Sequence, residues 1–155
     1  MRLNQLDVRD RAIVRLLQED GRLSNVELAE RVNLSPSACL RRIRNLEQSG
    51  LIDRYTMLLD QKTCGMTGNA FVNITLNQQG RAALDEFEAA IVDIPEILEC
   101  YLIAGGSDYI LRVVYSDAAD FERIHMEILT QLPGVTRIQS TLALRTVKKT
   151  TALPV

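Results

Sequence analysis

LSPSACLRRIRNLEQSGLIDRY, residues 34–55, contains the signals that begin and end a helix, with a concentration of arginine between them. Ser35 is suited to cap the start of a helix, Pro36 to occupy its first turn, and Gly50 to follow its last residue. Three of the four positions 41–44 are arginine. The segment therefore predicts a short, well-delimited helix that carries a local excess of positive charge.

Two further helices are predicted before this one. Asp7 can cap a first helix, and Ser24 with Glu27 forms the capping-box pattern that opens a second. Only residues 33–35, Asn-Leu-Ser, separate the second helix from the third, so the chain must turn sharply there. Three short helices with such a corner are typical of a helix-turn-helix.

The third helix has an apolar face and a polar face, because successive residues are about 100° apart. The apolar set, expected to face the other two helices, is Cys39, Leu40, Ile43 and Leu46. The opposite set is Ser37, Ala38, Arg41 and Asn45, with Arg42 and Arg44 at its edges. Small residues near the helix start allow a close approach of the backbone, which suits a recognition helix in the major groove of DNA.

DNA contacts divide into base readout and phosphate positioning. Guanidinium and amide groups can donate to guanine and adenine edges, which favours Arg41, Arg42 and Asn45 for bases. Arg44 and Ser37 are expected on phosphate. The full predicted DNA-contacting set is Ser35, Ser37, Arg41, Arg42, Arg44, Asn45 and Arg54. The alternative is a solvated charged face that binds nothing.

The overall charge does not by itself indicate a nucleic-acid-binding protein, since the net charge of the 155 residues is −2. Residues 1–60 hold ten arginines and nine acidic residues, whereas residues 61–155 hold eight basic and eleven acidic residues. Any DNA-binding surface must therefore be local.

Cysteine usage and hydropathy predict a cytoplasmic protein that has no membrane partner. Cys39, Cys64 and Cys100 are widely spaced and odd in number, which favours reduced thiols over disulfides or a metal site. The first ten residues contain no apolar signal core, and no stretch reaches the ~18 apolar residues of a membrane span.

The second half of the chain predicts a doubled β-α-β pattern. Apolar residues alternate from Ala70 to Leu76, a period of two that indicates a strand. A helical segment, two strands joined by a glycine turn (residues 105–108), a second helix and a last strand follow. This order, βαββαβ, is that of a ferredoxin-like fold. Its sheet would have helices on one face only, which favours a partner subunit on the other.

The fold class is therefore α+β, with two domains. Residues 1–60 are predicted to form a helix-turn-helix domain, which ends in a linker strand or small wing, LIDRYTMLLD (residues 51–60). Residues 61–155 are predicted to form the ferredoxin-like domain. Arg54, in the linker, is placed to reach a phosphate.

The chain shows no pattern typical of an enzyme. Its one histidine, His125, lies beside the apolar stripe of a predicted helix, where a packed or surface imidazole is expected. The sequence has no H-E-x-x-H motif, phosphate-binding loop or nucleophile elbow.

These features together resemble the Lrp/AsnC (feast/famine) family of transcriptional regulators. The resemblance is carried by residues 6–52 and by AGGSDYILRVV (residues 104–114), with LPGV (132–135) and KKTTALPV (148–155) in support. It implies a DNA-binding homodimer that assembles into tetramers or octamers and responds to a small molecule, usually an amino acid. Many members have glycine where this chain has Asn33, a residue that tolerates a left-handed backbone.

The resemblance also implies an effector site between subunits, near the glycine turn. Backbone N–H groups of such a turn can surround a carboxylate. The side chain of Asp108 is expected to accept from an ammonium group, with Ser140 or Thr141 adding hydroxyl contacts. The full predicted effector-binding set is Ile103, Ala104, Gly105, Gly106, Ser107, Asp108, Tyr109, Ser140 and Thr141. The alternative is a plain hairpin connection.

The sequence thus predicts a DNA-binding transcriptional regulator, modulated by an amino acid and needing no other cofactor. Two alternatives stay open. One is a regulator that senses no effector, and the other is a sensing or assembly module whose helix-turn-helix contacts protein. Steep salt dependence of DNA affinity would distinguish a DNA-binding regulator from the module whose helix-turn-helix contacts protein.

Overall fold

A computed structural model describes residues 3–155 and begins with the three predicted helices. After a 3₁₀ turn at Leu3–Gln5, α1 spans Val8–Glu19, α2 spans Asn25–Arg31 and α3 spans Pro36–Gln48. The predicted caps are confirmed: Asp7 accepts from Asp10 N, the capping box of Ser24 and Glu27 is complete, and Ser35 accepts from Ala38 N.

These three helices enclose a small apolar core. Ile13 of α1, Leu28 of α2 and Cys39 of α3 are completely buried, and Leu46 is nearly so. The prediction was wrong for Leu40, which is 37% exposed. It lies at the border of the apolar arc, where the neighbouring helices leave its side chain partly open to solvent.

Asn33 makes the corner between α2 and α3. Its φ is +53°, the left-handed conformation expected there. The corner is held by backbone hydrogen bonds from Asn33 N to Glu30 O (3.2 Å) and from Leu34 N to Ala29 O (2.9 Å). Asparagine occupies this region more readily than most residues with a side chain, so the turn forms without glycine.

The segment after α3 differs from its prediction. Residues 53–60 are exposed and no strand is assigned to residues 51–60, although a linker strand or wing was expected. Residues that favour the β conformation form a strand only when another strand accepts their hydrogen bonds, and no described strand pairs with this segment. Tyr55 nevertheless anchors it, because its hydroxyl donates to Glu47 Oε1 of α3 at 3.0 Å.

The second half forms the predicted βαββαβ fold. Its elements are β1 (Gly68–Leu76), α4 (Arg81–Ile91), β2 (Ile97–Leu102), β3 (Tyr109–Tyr115), α5 (Ala118–Arg123) and β4 (Val135–Leu142). The strands form one sheet in the order β2-β3-β1-β4, with every pair antiparallel. This topology confirms the ferredoxin-like prediction.

One face of this sheet packs on the helices and the other does not. Ala70, Val72 and Ile74 are completely buried in a cluster that includes Phe87 of α4 and Ile124 after α5. We call the opposite side, which holds residues 71, 73 and 75 of β1, the open face. Along β1 this face presents Phe71 together with the polar residues Asn73 and Thr75.

The helix after β3 departs from regular α geometry. Beyond α5, residues Ile124–Ile128 form a π turn and Leu129–Gln131 a 3₁₀ turn. Ile124 and Leu129, five positions apart, are both completely buried, whereas Ile128 is only half-buried. A π turn bonds residues five apart and so directs that pair to the same side.

The chain divides into two compact units whose boundaries differ slightly from the predicted domains. One joins residues up to Leu58 with Lys148–Val155, and the other is Leu59–Val147. In the first unit, Leu153 N donates to Gln18 Oε1 (2.6 Å), and Val155 packs against the apolar core. The last eight residues thus belong with the three helices. Within residues 3–155, no helix is long and apolar enough to cross a membrane.

We predict that Asn33→Val destabilises the first unit by about 1–2 kcal/mol, because a β-branched residue is strained at positive φ. Asn33→Gly, which removes that strain, should leave stability close to that of the parent chain. Urea unfolding followed by circular dichroism measures both. Equal stability of the valine and glycine variants would contradict a left-handed corner.

Candidate DNA-contacting helix and ligand pocket

The outward face of α3 presents the polar groups that the sequence placed there. Ser37, Arg41, Arg44 and Asn45 are all exposed, while Ala38 is half-buried. Ser35 Oγ is occupied within the helix cap, since it accepts from Ala38 N and lies 3.2 Å from Ser37 Oγ. The side chain of Ser35 therefore serves the helix start.

Arg42 has a different role from its neighbours. Its NH1 group donates to Asp7 Oδ2 at 2.7 Å and to Asp10 Oδ1 at 2.8 Å, which joins α3 to the start of α1. The pKa of Asp7 is lowered, first by the backbone N–H of Asp10 and then by this guanidinium. Arg42 was expected to contact DNA bases, but in this structure its guanidinium is held in an interhelical ion pair by Asp7 and Asp10.

The α2–α3 corner is fixed by two further side chains that sequence reasoning missed. Asn25 Nδ2 donates to Pro36 O at 2.9 Å, and Arg9 NH1 donates to Asn33 O at 2.9 Å. Each bond joins a helix residue to a backbone carbonyl outside its own helix, so periodicity within one helix carries no signal for it. They fix the orientation of the start of α3.

Arg54 lies outside α3, in the exposed segment after it. Its guanidinium contacts the adjacent Asp53 at 3.4 Å, and both side chains are largely exposed. Such an exposed pair contributes little to stability. The neighbouring Tyr55 is hydrogen-bonded to Glu47. Burial is the larger cause, and the Glu47 carboxylate the smaller, of a rise in the pKa of Tyr55 to about 12.

The glycine turn is tied to the end of β1 by Asp108. This residue is 7% exposed; its Oδ2 accepts from Leu76 N at 2.7 Å and its Oδ1 from Gln79 Nε2 at 2.7 Å. Its own N–H donates to Ile74 O at 2.9 Å. Asp108 was expected to bind an ammonium group, but its carboxylate is buried and engaged, so we assign it to positioning the turn.

The other predicted effector residues are not all brought together. Tyr109 is buried on the helix side and donates to Glu88 Oε1 at 2.7 Å. Ser140 is paired with the buried Val72, which puts its side chain on the same helix side, whereas Thr141, opposite Phe71, lies on the open face. At the turn, Ile103 N donates to Asp108 O, while Ala104, Gly105 and Gly106 are exposed and Ser107 is half-buried.

A pocket of about 220 Å³ lies on the open face beside the glycine turn. We call it the turn pocket; it is lined by Asn73, Thr75, Gly106, Ser107, Arg137 and Gln139. Only Gly106 and Ser107 were predicted. The four strand residues are cross-strand partners, Asn73 with Gln139 and Thr75 with Arg137. The alternation in β1 predicts that Asn73 and Thr75 lie on the face opposite the core. The sequence does not predict the β1–β4 register that brings Arg137 and Gln139 beside them.

A larger groove of about 390 Å³ lies on the helix side, between α4 and β2. It is lined mainly by apolar residues such as Ile91, Leu98 and Leu102. Both acids of its lining are engaged, Glu88 by the hydroxyl of Tyr109 and Glu99 by Arg112, and burial raises the pKa of the Cys100 thiol to about 11. A protonated thiol and an engaged carboxylate offer little to a polar ligand, so we place the candidate site in the smaller turn pocket.

Comparison with protein families also divides the chain into an N-terminal and a C-terminal part. Residues 6–53 match the winged helix-turn-helix DNA-binding model. Residues 69–153 match the Lrp/AsnC ligand binding domain. The first match contains α3, and the second contains the turn pocket.

Individual relatives agree with these assignments. The leucine-responsive regulatory protein of Escherichia coli is 40% identical over 148 residues, which cover 96% of this chain and 90% of that protein. A Neisseria meningitidis transcriptional regulator, solved as its L-Met complex, superposes with a TM-score of 0.92 at 38% identity, covering 97% of both chains. An AsnC family regulator from Agrobacterium tumefaciens has a TM-score of 0.91 at 34% identity, covering 96% of this chain and 97% of that chain.

We predict that Arg42→Gln lowers the free energy of unfolding of the first unit by about 1 kcal/mol, since a bridge between two carboxylates is lost. Arg41→Gln, one position away and exposed, is the matched control and should change the free energy of unfolding little.

The pKa of Asp7 is lowered in the folded state, so the contribution of Asp7 to stability is present at neutral pH and lost as pH falls through that pKa. The difference between Arg42→Gln and the parent chain should therefore shrink in acid. A constant difference from pH 7 down to acid unfolding would contradict the ion pair.

Proposed function

Because this chain belongs to the Lrp/AsnC family of transcriptional regulators, we propose that α3 reads double-stranded DNA and that an amino acid in the turn pocket regulates the protein. The observation that carries the first part is the exposed polar face of α3. The observation that carries the second is a polar pocket that adjoins a glycine turn within the matched ligand-binding region.

The DNA-reading residues we propose are Arg41 and Asn45, with Ser37 and Arg44 on phosphate. Each has an exposed side chain on α3. Arg42 is left out of this set because its guanidinium is held by Asp7 and Asp10. Arg54 is retained as a phosphate contact, since its exposed pairing with Asp53 is weak.

The proposed effector class rests on the chemistry of the pocket and on two relatives. The Neisseria regulator was solved with L-Met, and the E. coli relative is named as leucine-responsive. In this chain the turn pocket offers Arg137, amide groups from Asn73 and Gln139, and a hydroxyl from Ser107. Such groups bind a small polar molecule such as an amino acid.

We also propose that the protein is a homodimer that assembles further into tetramers or octamers, with the effector bound between subunits. Two exposed apolar regions support this. Phe71 and Tyr101 project from the open face, and Met57, Leu58 and Leu59 are exposed in the segment after α3. Exposed apolar side chains of this size favour burial against another chain. A subunit on the open face would lie next to the turn pocket.

The DNA assignment predicts that Arg41→Ala weakens operator binding by about 1–3 kcal/mol, the value of one base contact. Arg81→Ala is the matched control, since it removes an exposed arginine from the other unit and should leave affinity unchanged. Fluorescence anisotropy with a selected operator, over a range of salt concentrations, measures both. Equal affinity and equal salt dependence for the two variants would place the DNA on another surface, and salt-independent binding would favour the protein-contact alternative.

The effector assignment predicts that at least one amino acid, tested with L-methionine and L-leucine among all twenty, raises the Tm. A ligand at about 100 times its Kd stabilises by about 2.7 kcal/mol, which is several degrees for a unit of this size. Gly106→Leu should abolish the shift, because Gly106 lines the pocket and a large side chain there would compete with the ligand for space. A Cβ at Gly106 meets no atom within 4 Å, so the fold should accept the substitution. Gly80→Leu, at an equally open glycine outside the pocket, should retain it. No shift with any amino acid would favour the effector-insensitive alternative.

A further inference from the structure

We propose that the turn pocket recognises its ligand by the carboxylate, which Arg137 binds, and not by the ammonium group. The ligand class therefore extends from amino acids to the corresponding 2-oxo and 2-hydroxy acids. This inference rests on the proposed effector function and specifies which end of the effector the pocket reads.

The first step is the state of Arg137. It lies on β4 with Thr75 of β1 as its cross-strand partner, and its side chain is exposed. Among residues 3–155, no carboxylate lies within ion-pair distance of its guanidinium. Arg112, another arginine of the sheet, differs, because it is paired with Glu99 at 2.7 Å and also donates to Asn69. Arg137 is thus available to an external anion.

The second step is the set of donors around that guanidinium. Asn73 and Gln139 are cross-strand partners and both line the pocket. Ser107 Oγ donates to Asn73 Oδ1 at 3.3 Å. This bond uses the oxygen of the Asn73 amide and leaves its N–H₂ group available to donate to a ligand. In the part of the chain that the structure describes, no acceptor is assigned to the backbone N–H of Gly106 or Ser107. A carboxylate has several acceptor sites, and these groups supply donors for it.

The third step is the lack of a negative partner for an ammonium group. None of the six lining residues is acidic. The nearby acid, Asp108, is buried and accepts from Leu76 N and Gln79 Nε2. Among the groups that one chain supplies to the pocket, an ammonium group would meet only neutral oxygens, whereas a carboxylate would meet a guanidinium able to donate two parallel hydrogen bonds. The difference in charge therefore favours recognition of the carboxylate end.

The experiment compares three forms of one side chain by isothermal titration calorimetry. The probes are L-methionine, L-leucine and any other of the twenty amino acids that raises the Tm. Each is compared with its amide, which loses the carboxylate, and with its 2-oxo acid, which loses the ammonium. We expect the 2-oxo acid to bind within about threefold of the amino acid, and the amide at least about tenfold more weakly, as loss of a charge-assisted pair implies. In an NMR titration, the amide signals of Gly106 and Ser107 should shift with the 2-oxo acid.

Variants of arginine locate the effect. Arg137→Gln should weaken both the amino acid and the 2-oxo acid by about tenfold or more, and Arg137→Lys by less, because lysine keeps the charge without the planar fork. Arg145→Gln, an exposed arginine outside the pocket, is the matched control and should bind as the parent chain does. Circular dichroism confirms that each variant is folded.

The outcomes separate this inference from the proposed function. Amides that bind as tightly as acids, or an Arg137→Gln variant that binds normally, would overturn carboxylate recognition and leave the amino-acid effector in place. Binding of 2-oxo acids with no binding of amino acids would uphold the carboxylate pocket and overturn the amino-acid effector. Absence of binding by all the probes would overturn both.

Discussion

The buried carboxylate of Asp108 is the constraint on which the turn pocket depends. A buried charge is costly unless its oxygens are hydrogen-bonded, and here both are, to Leu76 N and Gln79 Nε2. Because the backbone N–H of Asp108 also bonds to Ile74, the turn has little freedom relative to β1. Gly106 and Ser107 are thereby held beside the polar residues of β1 and β4. The carboxylate that the sequence suggests as a ligand contact is thus engaged in holding the turn in place.

Neighbouring arginines on α3 acquire different roles from the same kind of geometry. Arg41 and Arg42 are adjacent in sequence, yet about 100° of helical rotation directs one to solvent and the other towards the start of α1. The ion pairs of Arg42 with Asp7 and Asp10 then keep α1 and α3 together, whereas the side chain of Arg41 is exposed to solvent. The interhelical ion pair and the proposed DNA contact therefore belong to separate side chains, and each can be altered independently.

Local patterns predicted most of the fold, whereas contacts between distant segments were not predictable from the sequence. Helix caps at Asp7, Ser24 and Ser35 depend on residues three positions apart, so the sequence displays them directly. The alternation in β1 likewise follows from a period of two. By contrast, Arg137 lies in the pocket because of the β1–β4 register, and the hydrogen bond that Asp108 accepts from Leu76 N joins residues 32 positions apart. Neither contact leaves a pattern in the sequence. The strand predicted for residues 51–60 did not appear, because a strand depends on a partner that its own pattern does not specify.

The open face combines two kinds of surface, and this combination bears on regulation. Phe71 and Tyr101 give it exposed apolar groups that another subunit would bury, whereas Arg137 and Gln139, near the glycine turn, keep one region polar. A ligand that neutralises Arg137 changes the charge of the same surface that would contact the partner. Ligand binding and assembly are then coupled, and linkage requires the coupling to act equally in both directions. A ligand with equal affinity for every assembly state would not shift the assembly equilibrium. The regulatory effect therefore depends on how much the affinity for the carboxylate differs between assembly states.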